Sequence, residues 1–235
     1  AIAFILRLVL AAIVQGYPND IACWQGWGSR MMQVGPWNFY ESGWCDYPPA
    51  YMYVLALIDG LRTLVGAQDN AALSQVLVKL PAMLCDLVSA MLIYKWLKRE
   101  NVRGGMALWL VAFYVFNPAT VFDSAAWGQI DSVFTLMVVA AVYLCVQGNW
   151  KWALPVYVLS ALVKPQTLML APIAAIVLVT EIVRAGINRD RVLKQIGIGI
   201  AISLGAAAVI IVPFWGGQSW NWLIEKYTET LSSYN

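Results

Sequence analysis

Apolar runs separated by short charged hinges dominate this chain and restrict what it can fold into. Stretches 1–16, 50–66, 75–94, 104–122, 132–147, 150–163, 166–183 and 195–214 are each long enough, or nearly so, to cross a bilayer. A full crossing takes about 20 residues, so the shorter ones must be tilted or broken. Charged residues make up 12% of the sequence and hydrophobic ones 61%, where a soluble domain carries about 25% charged. The fold class is therefore all-α, a polytopic membrane protein.

Basic residues set the orientation. Lys95, Lys98, Arg99 and Arg103 form one cluster, Arg184, Arg189, Arg191 and Lys194 another, and Lys151 sits in the hinge QGNWKW. All three loops are expected in the cytoplasm. The first loop (17–74), the turn around Trp127 to Asp131, the break at Lys164 and the tail from Trp215 then lie outside. The run 50–66 carries Asp59 and Arg62 and fits an interfacial helix, not a span. About seven transmembrane helices follow, with a long extracytoplasmic first loop holding interfacial helices. Residues 1–235 read as a single membrane-embedded module. The first residue is not Met and the last stretch is polar, so the module is expected to be incomplete at both ends.

Histidine is absent from the sequence, which excludes imidazole metal sites, Ser/His pairs and histidine acid–base chemistry. A proton acceptor must be a carboxylate, and an anion clamp must be Lys, Arg or backbone. The basic residues are split among loops, so nothing in the net charge of +2 points to nucleic acid. Cys23 and Cys45 share one polar segment and pair or remain thiols according to the compartment. Cys85 and Cys145 lie in apolar runs as packing residues.

Lys164 lies in ALVKPQTLMLAP. An ammonium at bilayer depth costs several kcal/mol unless it faces a polar cavity or an anion. Pro165 breaks the helix behind it, and Gln166 adds an amide. This is a seat for an anionic lipid-linked substrate. Asp20, after GYPN, is either the N-cap of a helix starting IACWQGW or a general base at the membrane face.

The segment GPWNFYESGWCDYPPAYMY is rich in aromatics. Interfacial anchoring accounts for them, as does stacking on sugar rings. Glu41, Asp46 and Tyr47 offer partners for hydroxyls. In FNPATVFDSAAWGQIDSVF, Asp131 is an N-cap or a ligand contact, while Asp123 and Gln129 suit sugar hydroxyls. A divalent metal would need more oxygen ligands than this segment supplies, so no metal or other cofactor is expected. Asp86, inside LPAMLCDLVSAML, could pair with Lys79, but seven residues along a helix sets the two apart by two turns, so it reads as a structural hydrogen-bonding group between helices.

Taken in order, YPND, DYPPAYMY, FNPATVFDSAAWGQIDS, LVKPQTLMLAP and KYTETLSSYN resemble the GT-C superfamily of polyprenyl-phosphate-sugar-dependent glycosyltransferases. The nearest likeness is to bacterial relatives of the second GPI mannosyltransferase, and more distantly to the dolichyl-phosphate-glucose glucosyltransferases. The resemblance implies a seven-span module with an extracytoplasmic site, in the bacterial cytoplasmic (inner) membrane. It also implies inverting transfer of mannose or glucose from a polyprenyl-phosphate donor to a lipid-linked, protein or glycan acceptor. Asp20 would be the catalytic base. Lys164 would contact the donor phosphate, and Gln166, Asp123, Gln129 and Asp131 would orient the sugar. Two other classes compete with this hexosyltransferase. One is a non-catalytic GT-C-derived structural subunit of a larger membrane complex, with further membrane subunits as partners. The other is a lipid or ion transporter, using intramembrane acids such as Asp86.

Overall fold

The computed structural model describes residues 1–232; the last three residues of the KYTETLSSYN segment lie outside the described residues. Helices run in the order α1 (Ile2–Ile13), α2 (Pro18–Asn38), α3 (Ala50–Leu64), α4 (Ala71–Arg99), α5 (Gly104–Val115), α6 (Pro118–Val121), α7 (Asp131–Val146), α8 (Trp150–Val163), α9 (Ala171–Arg184), α10 (Arg189–Ile211) and α11 (Trp222–Ser232). The described residues contain no strand, and the chain is an integral membrane protein of the all-α class.

Among the described residues, Ala71–Arg99, Pro165–Arg184 and Gly186–Phe214 are long and apolar enough to cross a membrane. Two bent pairs also qualify if each counts as one span: Ile2–Ile13 with Pro18–Asn38, bent by 95°, and Gly104–Val115 with Pro118–Trp127, bent by 46°. Asp131–Val146 and Trp150–Val163 are shorter apolar helices. The first apolar run is thus broken where the sequence suggested one span: α1 stops at Ile13, and the next helix starts at Pro18. Proline suits a first helical position because its missing N–H has no intrahelical acceptor there.

Backbone contacts divide the chain into two compact units. The first joins Ala1–Gly35 to Met52–Leu136. Its core is α1 against α4 and α5, with Ala3, Ala90 and Val115 at one level and Ala11, Met83 and Ala125 at another. Alanines at the contacts let the helix backbones approach closely, which is how helices associate where lipid offers no hydrophobic drive.

Five polar side chains hold this apolar stack together. Arg7 and Asp86 are both fully buried, and the Arg7 Nε donates to Asp86 Oδ2 at 3.1 Å. The Arg7 Nη1 donates to the carbonyl of Val115 at 2.8 Å, and Ser124 Oγ donates to Asp86 Oδ2 at 2.6 Å. Asp86 thus links α4 to α1 and to the segment after α6. Lys79 of α4 is 1% exposed. Its ammonium donates to the carbonyl of Val14 at 2.6 Å and reaches that of Ala11 at 3.5 Å. Gln75 Nε2 donates to the carbonyl of Ala12 at 3.0 Å. The carbonyls that α1 leaves open when it stops are therefore met from α4. Open backbone in hydrocarbon is tolerated only when re-satisfied in this way.

The second unit joins Pro36–Tyr51 to the chain from Met137 onward. Here α8 packs along α10. Gly199 lies so close to the Trp150 carbonyl that a Cβ would sit 2.7 Å from it. Phe39, Tyr40, Phe214 and Trp222 form a buried aromatic cluster with ring centroids 4.9–5.9 Å apart. Several aromatics expected at an interfacial belt or a sugar platform are thus core residues: Phe39, Tyr40, Tyr47 and Tyr51 are buried. Trp37 and Trp44 remain exposed.

Replacing Arg7 by Met should leave Asp86 as a buried charge without its counter-ion, at a cost of about 3–5 kcal/mol. The Arg7→Met, Asp86→Leu double variant should recover most of that loss. Thermal unfolding of the detergent-solubilised protein reads both, and equal melting of wild type and the single variant would contradict the role given to the pair.

Candidate functional site

In the first unit the site is built on a turn that only glycine can make. After α6 the chain winds one π-helical segment, Phe122–Trp127, and leaves it through Gly128 at φ +88°. The amides of Gly128 and Gln129 both donate to the carbonyl of Asp123 at 3.0 Å. A Cβ on Gly128 would lie 2.7 Å from Ile21 Cδ1 and 3.2 Å from Lys79 Cε, so space forbids a side chain as firmly as the backbone angle does. The Gly128 carbonyl accepts from Trp24 Nε1 at 3.1 Å. Gly16 faces the same turn. It has φ +81°, and a Cβ there would meet the Trp127 carbonyl at 2.6 Å. The next amide, Tyr17, donates to that carbonyl at 3.0 Å.

This docking of backbone on backbone fixes the start of α2 and with it Asp20. Trp127 Nε1 donates to Asp20 Oδ2 at 2.8 Å, and Gln129 Nε2 donates to the same oxygen at 2.5 Å. Tyr17 packs its ring on Trp127 at 5.5 Å. The capping reading of Asp20 is corrected. The helix begins at Pro18, and the Ile21 amide donates to the Tyr17 carbonyl, so Asp20 stands inside the first turn. A carboxylate there is favoured by the helix dipole. Of the residues picked from the sequence, Asp20 and Gln129 meet. Asp123 contributes its carbonyl to the turn, and Asp131 opens α7. π-Helical insertions recur at functional sites, but in this cluster one Asp20 oxygen is occupied by two fixed donors.

The second unit holds the other picked residues. As the Lys–Pro pair suggested, α8 ends at Val163, and Lys164 adopts an extended conformation (φ −147°, ψ 125°) before the tight turns of Pro165–Leu170. The break is closed locally. Ser160 Oγ and Thr167 Oγ1 are 2.8 Å apart, and Tyr157 donates its hydroxyl to the Thr167 carbonyl at 3.0 Å. Lys164 is buried, its ammonium 5.9 Å from the centroid of the Tyr47 ring. Gln166 Oε1 is buried with no donor among the described residues. Tyr47 is fixed by its carbonyl, which accepts from the Tyr40 hydroxyl at 2.7 Å and from the Cys45 thiol at 3.7 Å. Asp46 lies beside Tyr47 in the chain, and the exposed Glu41 lies against Gly217. A buried ammonium over an aromatic face at a helix break can hold an anion. None of the four cysteines forms a disulfide among the described residues.

Sequence reasoning missed Arg7, and it weighed Lys79 only as a partner for Asp86, a place that Arg7 takes. Both sit in apolar runs, and the signal was there: a lone cation inside such a run needs an internal partner.

The family model described as GPI transamidase subunit PIG-U matches residues 28–235. The chain belongs to the PIG-U family. No curated protein and no solved structure matches it. The family is a membrane family related to the GT-C superfamily, so the resemblance read from the motifs holds at that level and no mannosyltransferase relative is shown. The enzymatic reading is overturned. PIG-U is a component of a protein-processing membrane complex and not a glycosyltransferase. Hexose transfer, the inverting displacement on Asp20, and the polyprenyl-phosphate sugar donor and acceptor fall with it. Further membrane subunits as partners are what the family supports.

The tight turn supplies its own test. Gly128→Ala should lose about 1–3 kcal/mol of stability through backbone strain and the clash with Ile21. Gly26→Ala, with open space around it, should stay within about 0.5 kcal/mol of wild type. Unfolding titrations in mixed micelles compare the two; equal losses would mean the turn does not set the position of α2.

Proposed function

We propose that this chain is a non-catalytic structural subunit of a membrane assembly of the GPI transamidase type. The observation that carries the reading is the family match over residues 28–235. The condition of the polar groups supports it. The acid that a transferase would use as base accepts from Trp127 and Gln129. The intramembrane acid that a transporter would protonate is paired with Arg7 and bonded to Ser124. Lys79 closes the end of α1. These arrangements tie helices and turns of the first unit to one another, as a scaffold requires.

The outward faces of the helices fit a member of a larger assembly. No residue of α9 is buried within the chain, and Ile173, Ile176, Val179 and Val183 stand exposed along it. We keep the sidedness argued from basic residues as part of this proposal, with the loops at 95–103, 151 and 184–194 in the cytoplasm.

The experiment is to deplete the chain from its own membranes and follow the assembly. Loss of the chain should dissociate the complex and abolish its transamidation. An Asp20→Asn variant, which keeps an acceptor oxygen for Trp127, should restore both. A complex that stays assembled and active without the chain would refute the proposal. So would an Asp20→Asn variant that assembles fully but is inactive, since that would return Asp20 to a chemical role.

A further inference from the structure

A polar cleft of about 410 Å³ opens in the first unit, between the α1–α2 turn, α2, α3, residues 67–69 and α4. Its walls are unusual for so apolar a chain. Four of the ten glutamines in the sequence line it: Gln15, Gln25, Gln68 and Gln75, together with Asp69 and Ser74.

Three of those amides have their nitrogen already committed. Gln25 Nε2 donates to Ser74 Oγ at 3.1 Å, Gln68 Nε2 to Thr63 Oγ1 at 2.9 Å, and Gln75 Nε2 to the Ala12 carbonyl at 3.0 Å. An amide anchored through its nitrogen keeps its oxygen as an acceptor with two lone pairs. No donor among the described residues fills the oxygens of Gln25, Gln68 or Gln75. The one cation lining the cleft is already engaged: Arg62 pairs with Asp59 at 2.7 Å and donates to Ser74 Oγ at 2.8 Å. Asp69 has no ion-pair partner among the described residues. The lining therefore carries an excess of acceptors and one uncompensated negative charge.

We infer that this cleft binds a small primary ammonium group. An ammonium offers three donors and no acceptor, the complement of a lining that presents amide oxygens and one carboxylate. An anion would face that carboxylate and find the only guanidinium occupied. A hard metal cation would meet a single carboxylate, where such ions gather several charged oxygens. An uncharged hydroxyl compound would use the amide oxygens but gain nothing from Asp69. The inference stands apart from the proposed subunit role, because it concerns binding by the purified chain alone.

The test uses ethylammonium as the probe and ethanol as its uncharged counterpart, with saturation-transfer NMR on the full chain in nanodiscs at neutral pH. Ethylammonium should bind and ethanol should not. Asp69→Asn should weaken ethylammonium binding about fivefold, the scale of an exposed ion pair, and Gln68→Leu should weaken it measurably. Both positions are exposed, so thermal melting of the variants should match wild type. Ethanol binding as tightly as ethylammonium, unchanged binding in Asp69→Asn, or no ethylammonium binding to wild type would each overturn the inference.

Discussion

A helix that stops inside apolar surroundings must find partners for its last carbonyls, and the first unit depends on how α1 does so. Lys79 reaches across Gly128 to the carbonyl of Val14, and Gln75 takes that of Ala12. Each unmet carbonyl at this depth would cost several kcal/mol. Because α4 meets them, the chain can leave the helix at Ile13, turn at Gly16 and lay Tyr17 on the Trp127 carbonyl. The direction of α2, the place of Asp20 and the mouth of the polar cleft all follow from that turn.

The same economy explains why a chain with the motifs of a transferase superfamily fits a subunit better than an enzyme. Intramembrane charge is costly and is retained where it serves. In the first unit it serves cohesion. Arg7 and Asp86 join α1 to α4, Ser124 brings in the segment after α6, and Asp20 receives the side chains of the π-helical turn. One oxygen of Asp20 is held by an indole and an amide, which fixes the carboxylate on that turn. Membership in the PIG-U family agrees with that use of its polar groups.

Much of the fold was legible from periodic apolarity, because burial in lipid leaves a strong compositional trace. The break at Lys164 was legible too, since Pro165 must interrupt a helix and a buried cation must have company. The pairing of Asp20 with Gln129 lay within reach, both being polar residues at the ends of apolar runs. The partners of Arg7 and Lys79 were not. They are set by which helices pack together, and Arg7 and Asp86 stand 79 positions apart. The true start of α2 was hidden for a similar reason. Pro18 is compatible with a loop or a first helical turn, and only contact of Gly16 and Tyr17 with Ala126 and Trp127 decides between them. The enzymatic reading failed differently. Motif order reports a likeness of scaffold, and a likeness of scaffold does not carry an activity with it.

The most direct measurement is amide hydrogen exchange at Tyr17 and Gly128 in a Lys79→Met variant. Met keeps the length and nearly the volume of the lysine but cannot donate a hydrogen bond. If Lys79 closes the end of α1, both amides should lose most of their protection while those in the middle of α4 keep theirs. Unchanged protection at Tyr17 and Gly128 would contradict the account, because the turn that places α2 and Asp20 would then be held by something else.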